Sequence, residues 1–147
     1  MLSTILLLAA LAAEPIHQQS PYAITDYLFL LRRDTETFET RMRTVANDSI
    51  GMEYNDGPLG EGPGGKYDAD PLVDLTRADC VTFVEQTIAL SMSPNYEDMV
   101  DYLQTLRYKD GKVDFEHRNH FMISDWVRNN SYCKDVTTQL GVDTQTV

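Results

Sequence analysis

Cys80 is the residue in this chain best placed for covalent chemistry, and it stands where a polar stretch meets an apolar one. Asp68, Asp70, Pro71 and Asp74 precede it, a run that breaks regular structure. After Asp79 an apolar segment continues to about Met92, with Val81, Val84 and Ile88 at helical spacing and Phe83 and Leu90 beside them. Thr76 or Asp79 can cap a helix here, so Cys80 falls in or just before its first turn. The unpaired N–H groups and the positive end of the helix dipole favour a thiolate at such a position. The carboxylates of Asp74 and Asp79 oppose that effect and Arg77 partly restores it. A cysteine in this setting is either a nucleophile or a small buried hydrophobe, and position alone leaves both open.

Nucleophilic catalysis by a thiol also needs a base that forms the thiolate and later protonates the leaving group, and donors for any oxyanion that develops. The chain holds three histidines, His17, His117 and His120. Metal chemistry has no pattern to rest on. The histidines and the two cysteines lie too far apart for a zinc motif, and the Asp68, Asp70, Asp74 run lacks the glycine and terminal glutamate of a calcium loop. No phosphate-cradling Gly-x-x-x-x-Gly-Lys-Ser/Thr pattern occurs, and no cofactor is implied.

The elements that must position Cys80 can be read around it. From Pro21 to about Asn47 the pattern is helical, one long or broken helix: Ile24, Tyr27, Leu28 and Leu31 form a stripe that Phe38, Met42 and Val45 continue. Residues 51–71 hold six glycines and three prolines and read as loop. A connection of that length inside a compact domain is usually functional. This one carries Tyr54, Glu61 and Tyr67, side chains suited to stacking on or hydrogen-bonding a sugar or peptide. Pro94 ends the Cys80 helix and opens another, with Tyr96, Met99, Val100, Leu103 and Leu106 at helical spacing. Asp110-Gly111 then predicts a hairpin turn between residues 106–108 and 113–115, with Val113, Phe115 and His117 on one face and Arg118 and His120 on the other. Ser124 or Asp125 can cap a last short helix carrying Trp126 and Val127. From Asn129 the tail is polar and without a clear period.

At 147 residues the chain has the length of one domain, and an apolar fraction of 42% argues against wholesale disorder. A net charge of −11 with no Lys/Arg cluster disfavours a nucleic-acid partner. Residues 3–13 form an apolar run too short to span a bilayer comfortably, closed by a small-x-small pattern at Ala10-Leu11-Ala12. Residues 1–13 therefore read as a secretory signal peptide and 14–147 as the mature domain. The expected product is exported, periplasmic or extracellular, with no stable membrane anchor after cleavage.

Asp79-Cys80-Val81-Thr82-Phe83-Val84-Glu85 resembles the nucleophile segment of the DUF1460 family, the N-acetylmuramoyl-L-alanine amidase-like branch of the NlpC/P60 cysteine peptidases. Two further stretches are similar to that family in the same order: Gly57 to Gly62 with Tyr67 to Leu72, and Leu106 to Gly111 with Arg118 to Phe121, Asp125 and Trp126. Together they cover about 50–136. The resemblance implies an α+β chain corresponding to the helical half of a papain-like NlpC/P60 fold, with a short β-hairpin and an incomplete sheet. It implies hydrolysis of the amide between N-acetylmuramic acid and the L-alanine of a peptidoglycan stem peptide, with Cys80 as nucleophile and a muropeptide as partner. His120, inside a matched segment, becomes the candidate base. Tyr54, Glu61, Tyr67, Arg107, Arg118 and Asn119 become candidate substrate-binding residues. Members of the family carry their catalytic histidine on a strand that follows the matched region, and this chain stops at Val147. The expectation is a C-terminally truncated copy; substitution by His120, or completion of the site by another chain, are the alternatives. Two other functions stay open: a non-catalytic muropeptide binder, and an exported structural domain stapled by a Cys80–Cys133 disulfide.

Overall fold

The computed structural model describes residues 14–134 and 136–141, so the apolar leader 1–13 lies outside the described residues. The chain is helix-rich, with one short parallel sheet, and the α+β class is met in that form. The helical stretch after Pro21 is broken in two. Helix α1, Pro21–Asp34, starts with Pro21 in its first turn and Ser20 capping the Ala23 N–H. Helix α2, Phe38–Asp48, starts afresh because Thr37 turns extended and its hydroxyl accepts from the Thr40 N–H. Ile24, Leu28, Leu31 and Val45 of the predicted stripe are buried, whereas Phe38 is 40% exposed.

Strand β1, Glu53–Tyr54, pairs in parallel with β2, Arg77–Ala78. Helix α3, Cys80–Met92, follows at once, and α4, Tyr96–Arg107, begins at Asn95, whose side chain accepts from the Asp98 N–H. Met99, Leu103 and Leu106 of α4 have no exposed surface and meet Ile88, Ala89 and Leu90 of α3 in the core. The apolar spacing on α3 misidentifies its inner face. Val84 is 41% exposed, whereas Thr82, Glu85 and Gln86 are buried. Thr82 belongs to the helix cap and Glu85 accepts from Trp126, while the Gln86 amide has no hydrogen-bond partner among the described residues.

The predicted hairpin does not form. Leu106 and Arg107 remain helical, since Leu106 completes the buried stripe of α4, and Lys109–Gly111 is a tight 3-10 turn with Asp110 in the left-handed region at φ 57°. Val113 and Phe115 lead into a second such turn, Phe115–His117, capped by Asp114. What remains of antiparallel pairing is a single bridge between Tyr108 and Arg118. The expected cap at Ser124 or Asp125 is also displaced. A π-helical turn, Met122–Trp126, runs straight into α5, Val127–Asn129, and Asp125 instead accepts from the Phe121 N–H one turn earlier.

The 51–71 loop is closed upon itself. Gly60, Glu61 and Gly62 donate N–H groups to the carbonyls of Pro71, Asp68 and Asp70. This fold-back demands a glycine at 65, where a Cβ would lie 2.1 Å from the Asp68 carbonyl oxygen. No helix among the described residues is long and apolar enough to cross a membrane.

Candidate active site

Cys80 is the first residue of α3 and its side chain is exposed. Asp79 holds the helix start. Its Oδ1 accepts from the N–H groups of Val81 at 2.9 Å and Thr82 at 2.7 Å, while the Thr82 hydroxyl accepts from the Asp79 N–H at 2.8 Å. This reciprocal capping box satisfies the N–H groups of Asp79, Val81 and Thr82. The Cys80 N–H has no protein acceptor among the described residues. It can therefore donate to an oxygen placed beside Sγ. Asp79 Oδ2 accepts from the Gly57 N–H at 3.1 Å, which fastens the loop to the same cap. Burial pushes the Asp79 carboxyl up, but the Thr82, Gly57 and Val81 donors outweigh it and hold it below the ordinary carboxylate value. Arg77 does not serve Cys80 directly: its Nε donates to Asp74 at 2.6 Å, so those two charges largely cancel.

A cavity of about 440 Å³ opens beside the thiol, lined by Ser49, Met52, Glu53, Tyr54, Ala78, Asp79, Cys80 and Phe83. That volume lies within the range of small-ligand sites. The β1–β2 pairing builds it, since the register Tyr54 opposite Ala78 sets the loop's first residues next to the start of α3. Of the predicted binding residues, Tyr54 alone lines this cavity. Met52 and Glu53 were missed, because only the parallel pairing of distant segments brings them here; Phe83 was missed although it lies one turn of α3 beyond Cys80.

The other predicted residues lie elsewhere. Arg107 is buried and its Nη1 donates to the carbonyls of Gly60 and Leu72 and to Gln104 Oε1. Arg118 donates to Asp68 at 2.8 Å and to the Leu59 carbonyl at 3.1 Å, and its guanidinium lies 2.9 Å from Glu61, close but misaligned for a hydrogen bond. Burial pushes the Asp68 carboxyl up, while the Asp70 N–H and the Arg118 guanidinium pull it below the ordinary value. Asn119 donates to the Leu106 carbonyl. Arg107 and Arg118 clamp the loop from within, Asn119 ties α4 to Asn129 instead, and both Glu61 carboxylate oxygens are buried without a hydrogen-bond partner among the described residues. Tyr67 stacks on Phe115, which in turn stacks on His120 with ring centroids 4.5 Å apart.

No histidine is among the residues lining the Cys80 cavity. His120 Nε2 lies 2.8 Å from the Phe115 carbonyl oxygen, a bond that ties down its own turn. His117 Nδ1 meets Asp114 at 2.6 Å. His17 sits in a 3-10 turn, Ile16–Gln18, anchored by the fully buried Ile16, with its ring against Gly51. The Cys80–Cys133 disulfide is absent, and both thiols are free. Cys133 lines a different, apolar cavity with Ile88 and Met92. Those residues lie 8 and 12 positions along α3 from Cys80, roughly 12–18 Å away at the helical rise. Among the described residues no group of three His, Cys, Asp or Glu side chains could hold a metal ion.

Comparisons place this geometry in a family. Residues 44–147 match the model of the AmiA-like, N-acetylmuramoyl-L-alanine amidase-like proteins. A Legionella pneumophila protein assigned to DUF1460 superposes over 85% of the chain with a TM-score of 0.74 at 30% identity. Two structures of an N-acetylmuramoyl-L-alanine amidase from Bacteroides uniformis superpose over 71% and 75% of the chain, with TM-scores of 0.58 and 0.59 at 27% and 28% identity. The chain spans 42%, 46% and 47% of the lengths of these three structures. No curated protein matches. On the family model and the Legionella structure together, this chain belongs to the amidase-like DUF1460 family.

Proposed function

We propose that this chain carries the nucleophile-bearing part of a cell-wall amidase-like hydrolase, the helical half of a papain-like NlpC/P60 arrangement. It would act on the amide between N-acetylmuramic acid and L-alanine in peptidoglycan fragments. One observation carries the reading: an exposed thiol at a capped helix start opens onto a cavity, and its own N–H has no acceptor among the described residues. In the proposed reaction the Cys80 thiolate attacks the amide carbonyl carbon, and the developing oxyanion accepts from the Cys80 N–H. The amine leaves with a proton, and water then hydrolyses the thioester, releasing the acid and the thiol. The substrate class rests on the amidase neighbours, and export on the apolar segment 3–13.

A second reading has its own observation. None of the residues lining the Cys80 cavity is a histidine, and His120 is held by the Phe115 carbonyl. General acid–base help is typically worth ~10²–10⁴-fold in rate, so a chain without a positioned base binds a muropeptide and turns it over slowly. One experiment separates the two: stem-peptide release and muropeptide binding are measured for wild type, Cys80→Ala and His120→Ala. Turnover lost in Cys80→Ala supports the hydrolase, and binding without turnover in all three supports the binder. Turnover that survives Cys80→Ala removes the thiol mechanism.

A further inference from the structure

The charged side chains that line the Cys80 cavity are Glu53 and Asp79, and both are acids. No lysine, arginine or histidine occurs between residues 44 and 65 or between 78 and 106, the two stretches that supply the lining. Arg77 stands opposite Glu53 in the β1–β2 register, but its Nε lies 2.6 Å from Asp74. Those three side chains together therefore keep one formal negative charge in excess. The arginines of α2 are turned elsewhere: Arg41 donates to the Ser91 carbonyl at the far end of α3, and Arg43 pairs with Glu39. His17, whose ring lies against Gly51, is a nearby group that can become a cation.

The two acids differ in what they are free to do. Asp79 is spent, with Oδ1 on the Val81 and Thr82 N–H groups and Oδ2 on that of Gly57. Glu53 is exposed, and its carboxylate has no hydrogen-bond or ion-pair partner among the described residues. Its backbone is fixed all the same, since its N–H donates to the Thr76 carbonyl. The walls around it offer little polarity. Met52, Ala78 and Phe83 are apolar, and the Ser49 hydroxyl is donated to the Val45 carbonyl. A cleft with charge of one sign and low-dielectric walls concentrates its field on whatever enters.

We propose that Glu53 sets the charge specificity of the Cys80 cavity: a neutral or cationic group is admitted beside the thiol, and an anionic one is held off. The cause is Coulombic. A unit charge about 7 Å from one carboxylate in a water-like medium changes its local concentration roughly threefold, so a cation and an anion separate by roughly sevenfold. Salt weakens the preference, because screening shortens the reach of an exposed charge. A ligand that carries a carboxamide is thus favoured over one that carries the matching carboxylate. The inference concerns what the cavity admits and requires no turnover, so it stands or falls apart from the amidase reading.

Three thiol reagents of similar size test this on the full chain: the ethylammonium, ethylsulfonate and methyl methanethiosulfonates, which are cationic, anionic and neutral. Reaction is followed at about pH 8, above the ordinary histidine range, so that His17 adds no charge. Mass-resolved peptides give the Cys80 rate with each reagent, divided by the rate of 2-mercaptoethanol with the same reagent. The thiolate fraction is common to all three and cancels in the ratio of cationic to anionic rate. At low ionic strength that ratio should exceed unity by at least about fivefold in wild type. It should fall roughly sevenfold in Glu53→Gln and by a similar factor again in Glu53→Lys. Relative to the methyl reagent, the cationic rate should drop and the anionic rate rise. In about 1 M salt, where the screening length is about 3 Å, wild type and Glu53→Gln should converge. A wild-type ratio near unity, a ratio unchanged in both variants, or a difference that survives high salt would each overturn the proposal. Loss of shape at the site would slow or speed all three reagents together and leave the ratio alone.

Discussion

Replacing Asp79 tests the architecture of the Cys80 site most directly, because one carboxylate does two separable jobs there. Its Oδ1 caps α3 through the Val81 and Thr82 N–H groups, and its Oδ2 holds Gly57 of the loop. Losing an N-cap costs about 0.5–2 kcal/mol. A charge-assisted bond to Gly57 at a half-buried position adds about 1–1.5 kcal/mol, the low end for charged groups. Asp79→Ala should therefore lose about 2–3 kcal/mol, a fall in Tm of about 5–10 °C for a chain of this size. Asp79→Asn keeps the cap acceptor while removing the negative charge beside the thiol. It should lose about 1 kcal/mol or less, since Asn caps as well as Asp. It should also speed alkylation of Cys80 by iodoacetamide at neutral pH. Thermal melts of the three proteins give the stabilities, and mass-resolved alkylation gives the rates. An Asp79→Ala protein within 0.5 kcal/mol of wild type would refute the capping argument. Unchanged Cys80 labelling in Asp79→Asn would refute the electrostatic one.

Cys80, exposed, should alkylate faster than Cys133, which is half-buried and whose thiol burial pushes up; equal rates in the native protein would contradict the placement of both. Gly65→Ala should destabilise by about 1–3 kcal/mol, as overpacking does, because its Cβ would meet the Asp68 carbonyl oxygen at 2.1 Å; an unchanged melt would mean the loop does not close as described. The unfolding free energy of wild type minus that of Glu85→Gln should fall by ~3 kcal/mol between pH 4.5 and pH 8. The sign is fixed by the raised carboxyl at about 7: between about 4.5 and about 7 the folded state keeps its proton and the unfolded state does not, so stability drops as pH rises and then levels off. A difference that is level across denaturant melts in that range would remove Glu85 from the account.

What could be read from sequence divides along physical lines. Local signals were legible: Asp79 as the α3 cap, Cys80 in the first turn, the Pro94 break, the stripe of α4 and the looped character of 51–71. Each depends on residues within a turn or two of one another. The hairpin failed because Asp110-Gly111 offers left-handed turn residues without saying what they connect, and burial of Leu106 and Arg107 kept the preceding arm helical. Arg107, Arg118 and Asn119 look like ligand-binding side chains in one dimension. In three the two arginines are spent on loop carbonyls and carboxylates dozens of residues away, and Asn119 on the Leu106 carbonyl of α4. Nothing local distinguishes a guanidinium that meets a ligand from one that meets a backbone oxygen. Glu85 shows the opposite error, an acid that helical spacing assigns to no face until Trp126, 41 residues on, supplies its partner.

The same division explains how the Cys80 cavity is held. Its lining comes from two stretches, 49–54 and 78–83, joined by the β1–β2 pairing and the Asp79–Gly57 bond. Two-residue strands contribute little alone, so the pairing depends on the intervening loop keeping its shape. That shape is imposed from below by buried donors. Arg107 and the Tyr108 hydroxyl converge on the Gly60 carbonyl, while Arg118 spans Leu59, Asp68 and Glu61. Buried cations of this kind are expensive to strand, and removing one carboxylate or carbonyl partner leaves the remainder uncompensated. The clamp should consequently yield as a unit, and damage to it should reach the cavity through Tyr54 and Gly57 without any change in Cys80 itself. Arg107→Met is the informative variant, since it removes the charge yet keeps bulk. It should loosen the 59–72 loop to proteolysis and release Tyr54 from the rim, while the α1–α2 helices keep their protection.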